Sequence, residues 1–106
     1  MTDTEKNILK QIKDRILALE PNAEVILFGS RARGDARVDS DWDLLILLDG
    51  KVDESKKEPL RMNLYDLEVD TGTVIVPVFR EKAKWGDDKK YNTSFKKNVK
   101  TEGVTL

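Results

Sequence analysis

From Trp42 to Leu48 the chain reads Trp-Asp-Leu-Leu-Ile-Leu-Leu, and its last five residues are apolar without a break. A strand that is apolar on both faces has to be covered above and below, so this segment is predicted to be the central strand of a sheet. The shorter run Val25-Ile26-Leu27-Phe28 is partly β-branched and is stopped by Gly29, which suits a buried strand feeding a tight turn. Cover for these strands is legible in two helical stripes. Thr2 to Glu5 reads as a capping box ahead of Ile8, Leu9, Ile12, Ile16 and Leu19, a stripe that Pro21 ends. After a polar, charged connection from Lys51 to Lys57, Pro59, Leu60, Leu64 and Leu67 suit a helix with proline near its start.

A third strand is predicted over residues 73–79. Pro77 lacks the N–H that an interior ladder needs, which places this strand at a sheet edge or bulge and leaves a surface for pairing with a partner or a second copy. Residues 80–92 read as polar and irregular. Thr93 or Ser94 then caps a last short helix carrying Phe95 and Val99, ended near Gly103. The expected fold class is α+β: a small mixed β-sheet backed by helices on one face, in one domain spanning residues 1–106. So small a scaffold leaves acceptor recognition to a short edge, a terminus or a partner.

Composition narrows the chemistry. The chain has no cysteine, which excludes a disulfide framework and a thiolate zinc site, and no histidine, which removes the commonest general base. Carboxylates must do the acid–base and metal work. A charged fraction of 37% with net charge −1 argues against wrapping nucleic acid by bulk attraction. No apolar run nears membrane-spanning length and no leader is evident, so a cytoplasmic protein without membrane contact is expected.

The chemistry-bearing segment lies between the first two strands. Gly29 lets the backbone approach a ligand, and Ser30 brings a hydroxyl and opens a helical turn able to hold a phosphate. Arg31, Arg33 and Arg37 add positive charge. Ten residues separate Ser30 from Asp41, and Asp41 and Asp43, two apart, project to one side of a strand. Two adjacent carboxylates suit Mg²⁺, which takes its other oxygens from phosphates and water. Singly, each piece has an ordinary reading: a strand-ending turn, solvated aspartates at a strand entrance, a basic loop. The ordered combination points to nucleotidyl transfer.

This segment, residues 29–46, resembles the signature of the polymerase-β-like nucleotidyltransferases, in the compact form called minimal nucleotidyltransferases. The resemblance implies that fold, a nucleotide-phosphate site at Gly29 and Ser30 with Arg31 and Arg33 beside it, and a catalytic metal pair at Asp41 and Asp43. The implied cofactor is Mg²⁺ or Mn²⁺, and the implied substrate is ATP or another nucleoside triphosphate. The implied partner is a HEPN-type toxin, adenylylated on a tyrosine, with the chain as antitoxin. Active members usually carry a third carboxylate on a neighbouring strand, and residues 73–79 have none. Asp70, just before that strand, is the best substitute; Glu68 and Glu81 also flank it. Without a third carboxylate, the alternative is a weak or inactive nucleotide-binding module that neutralises its partner by binding.

Other residues tempt less. Trp42, between the two aspartates, faces the opposite way and is expected in the core. Trp85 and Tyr91 are either exposed anchors or a satellite packing cluster. Tyr65 is expected to pack along its helix, and Lys96, Lys97 and Lys100 to form a wet helix face.

Overall fold

The computed structural model describes residues 1–87 and 93–106. Helix α1 (Asp3–Leu19) begins with the expected capping box: Thr2 Oγ1 accepts from the Glu5 N–H, and the Glu5 carboxylate accepts from the Thr2 N–H. These bonds occupy donors that a first helical turn leaves without backbone partners. Strand β1 (Glu24–Phe28), helix α2 (Ser30–Arg33), strand β2 (Trp42–Leu48) and helix α3 (Glu54–Thr71) follow. Strand β3 (Ile75–Glu81), helix α4 (Lys82–Trp85), helix α5 (Ser94–Glu102) and strand β4 (Val104–Thr105) come next among the described residues.

The strands form one sheet in the order β3-β2-β1-β4. β1 is antiparallel to both β2 and β4, whereas β2 is parallel to β3, so the sheet is mixed. Helix α3 is the crossover that a parallel pair requires. As the double-sided apolar pattern predicts, β2 is interior, and Asp43 is its one residue that is not buried. Pro77 lies in β3, an edge strand, in register with Leu44.

Two clusters fill the two faces. Trp42, Leu44, Ile46 and Leu48 of β2 join Val25, Leu27, Ile75 and Phe79 against Ile12 and Ile16 of α1 and Leu60, Leu64 and Leu67 of α3. On the other face, Leu45 and Leu47 meet Val99 of α5, with Ile26, Phe28, Val78, Trp85 and Phe95 around them. Burial of each such aliphatic side chain contributes about 1.5–3 kcal/mol.

Several expectations are corrected. Helix α3 starts at Glu54, well before Pro59, because Asp53 caps it by accepting from the Lys56 N–H at 3.1 Å; the supposed connection is its first turn and Pro59 lies inside. Residues 82–85 are helical, and the chain after Gly103 returns as β4 along β1. Trp85 belongs to the satellite cluster, edge-on to Phe95 at 5.9 Å, while Tyr91 lies outside the described residues. Lys96 is buried with its ammonium over the Trp85 ring, so only Lys97 and Lys100 of that group are exposed. Tyr65 is exposed on α3. Among the described residues, no helix is long and apolar enough to cross a membrane.

Candidate active site

The site end of the sheet is built where β1 stops. Phe28 is paired with Asp43, and the next residue, Gly29, has φ +76°. That left-handed backbone turns the chain across the end of β2. A methyl group at Gly29 would collide with Asp43 Oδ2 and lie 3.2 Å from its Cγ, so the turn rests directly against this carboxylate. Ser30 begins α2, whose carbonyl accepts from the Gly34 N–H as the helix closes on a second left-handed glycine.

Asp41 precedes β2 by one residue and Asp43 lies within it. The pleat sends Trp42 into the α1–α3 core and leaves the aspartates on the opposite side. The Asp43 carboxyl is held above the ordinary carboxylate range, first by burial, then by the charges of Asp41 and Glu102; Arg33 partly opposes them. An under-compensated pair of hard oxygen ligands fits a divalent cation. Among the described residues, no group of three or more His, Cys, Asp or Glu side chains has metal-binding geometry. A cation at this pair would therefore complete its shell from elsewhere.

The two arginines of α2 diverge. Arg31 is buried: its guanidinium donates to the Ser40 carbonyl at 2.9 Å, the Val38 carbonyl at 3.2 Å and Glu5 at 3.2 Å, and lies 4.3 Å over the Trp42 ring. These bonds clamp the loop that carries Asp41 onto α1 and the core. The geometry gives Arg31 a positioning role. Arg33 stays half-exposed and bonds Asp35 at 3.3 Å and Glu102 at 3.2 Å, which raise its already high pKa, Glu102 first.

Asp70 is not brought to the pair. It sits in the last turn of α3, largely exposed, with its carboxylate 3.5 Å from Arg15 of α1. Val76 occupies the β3 position in register with Asp43. The carboxylate that does approach is Glu102, at the end of α5, which accepts from the Gly29 N–H at 3.3 Å. Sequence reasoning missed it; the available signal was Val104-Thr105-Leu106, a short apolar-leaning tail that pairs with β1 and carries Glu102 to the turn.

A cavity of about 430 Å³ lies on the far side of the sheet, lined by Glu5, Arg31, Arg37, Val38, Trp42 and Thr73 among others. It is on the Trp42 side, whereas the carboxylates face the α5 side.

The pattern of the nucleotidyltransferase domain family matches residues 9–104. No curated protein matches the chain. Among solved structures, the chain is similar to a toxin–antitoxin crystallised with AMP-PNP, at 21% identity and TM-score 0.59, over 98% of this chain and 72% of the other. It is also similar to a MntA–HpeT toxin–antitoxin carrying a tyrosine-to-alanine substitution, at 22% identity and TM-score 0.55, over 96% and 70%. With the family match spanning β1, the glycine–serine turn, the aspartate pair and the parallel β2–β3 unit, the chain belongs to the nucleotidyltransferase domain family and is a nucleotidyltransferase.

Proposed function

We propose that the chain transfers a nucleoside monophosphate, AMP from ATP, to a hydroxyl group of a protein partner. The observation that carries this reading is the Gly29–Ser30 turn lying against Asp43, two residues from Asp41. Asp41 and Asp43 would hold Mg²⁺, or Mn²⁺ in its place, and a bound ion would supply neutralisation of phosphate charge in the transferring group. The Gly29 backbone and the Ser30 hydroxyl orient the outer phosphates, and Arg33 adds positive charge. The acceptor hydroxyl attacks the α-phosphorus in line, forming a new P–O bond as the bond to pyrophosphate breaks and its proton passes to solvent. Positioning and charge neutralisation supply most of the rate, so a small scaffold suffices.

Similarity to toxin–antitoxin structures, one holding AMP-PNP, supports ATP as donor and a toxin as partner. The signature's resemblance to minimal nucleotidyltransferases narrows that partner to a HEPN-type toxin and the acceptor to a tyrosine. The reading takes residues 1–106 as one catalytic domain acting in the cytoplasm. Label transfer from α-labelled ATP to a co-expressed toxin partner is expected, and its loss in the Asp41→Asn/Asp43→Asn double variant locates the site. If the label stays in ATP while the partner is still silenced, transfer is not the mechanism.

A second reading has its own support. Val76 stands where β3 lies against Asp43, so no carboxylate of β3 reaches the pair there. A nucleotide-binding module that silences its partner by docking would need none. In that case the double variant retains neutralisation.

A further inference from the structure

The groups assigned to nucleotide phosphate already hold an anion supplied by the chain itself. Glu102 Oε1 accepts from the Gly29 N–H at 3.3 Å, and Glu102 Oε2 pairs with Arg33 Nη1 at 3.2 Å. One carboxylate thus spans the backbone donor of the turn and the half-exposed cation beside it. A carboxylate among these groups therefore satisfies the donors of the seat.

Glu102 is not a free side chain on a loose tail. It is the last residue of α5, which Phe95 and Val99 pack onto the sheet, Phe95 edge-on to Phe28 at 5.3 Å. At Gly103 any side chain would strike the Val99 carbonyl and Ile26, so glycine lets the helix end pass straight into β4. β4 pairs with β1 through Leu27–Val104 and Ile26–Thr105, and the Leu106 N–H donates to the Val25 carbonyl at 2.9 Å. The carboxylate is held at the turn by a strand that grips the same β1 whose end forms the turn.

We propose that Glu102 is an internal stand-in for nucleotide phosphate, closing the seat when it is empty and giving up Gly29 and Arg33 when a phosphate chain enters. The inference rests on the nucleotidyl-transfer reading above. Binding then exchanges one anion for another at the same donors, and each nucleotide bound removes the side-chain bonds that tie the end of α5 to the turn. The C-terminal strand reports occupancy of the site.

Titration calorimetry with Mg²⁺ and AMP-PNP tests this on the full chain, comparing wild type, Glu102→Gln and Glu102→Ala. Removing a competing half-exposed ion pair is expected to tighten binding about two- to fivefold in both variants. In the wild-type chain the same probe is expected to speed hydrogen exchange of the residue 104–106 amides, a readout independent of whether the variants fold. Equal or weaker binding by the variants, or unchanged exchange in the wild type on binding, overturns the proposal while nucleotide binding stands. If neither wild type nor variants bind, the nucleotide seat itself falls, and the proposal with it.

Discussion

Gly29 meets two demands that no other residue satisfies together: a φ of +76° and room for the Asp43 carboxylate where a Cβ would sit. Gly29→Ala should therefore cost about 2–3 kcal/mol, part from the left-handed backbone and part from displacing Asp43. Denaturant unfolding measures it, and a change under about 0.5 kcal/mol would show that the turn is not pressed against the aspartate. Asp43 tells the complementary story. Burial and the Asp41 charge lift its pKa, so the folded chain holds that proton more tightly than the unfolded chain. Stability contributed through this group is thus lost as pH rises from the unfolded carboxylate value through the raised folded one. Asp43→Asn should be more stable than wild type at neutral pH, and the advantage should shrink as pH falls through the raised folded value and be gone once pH is below about 4. Thermal unfolding across that range checks the sign; a pH-independent difference would mean that the effect is packing and not charge.

At the level of elements, Arg31 ties the loop between α2 and β2 to the core. Arg31 satisfies two loop carbonyls and the Glu5 carboxylate from a buried position. Arg31→Lys keeps the charge but loses the planar fork, and it should destabilise by about 2–3 kcal/mol and speed hydrogen exchange in residues 35–41. Stability equal to wild type would remove the clamp. Elements with strong local patterns were legible in the chain: the capping box of α1, the doubly apolar β2 and the edge position forced by Pro77 each follow from neighbouring residues. The start of α3 was not, because the eye goes to Pro59 as a helix opener while Asp53, six residues earlier, supplies the actual cap. α5 was legible through Thr93, but β4 is two residues long and exists only because β1 offers it an edge.

Across the whole molecule, the candidate site divides along the same line. The glycine–serine turn and the aspartate pair are close in sequence and joined by a strand hairpin, so their meeting could be anticipated. Arg31 and Glu102 take their roles from partners 26 and 69 residues away, and no local pattern announces such contacts. For the same reason Asp70, near β3 in sequence, pairs instead with Arg15 on the helix layer. The central claim is that the turn and the two aspartates bind one metal–nucleotide complex. Titration of the chain with ATP, with and without Mg²⁺, beside the Asp41→Asn/Asp43→Asn variant, tests it most directly. The account predicts binding that requires Mg²⁺ and weakens by about tenfold or more in the variant; ATP binding that ignores both the metal and the two substitutions would contradict it.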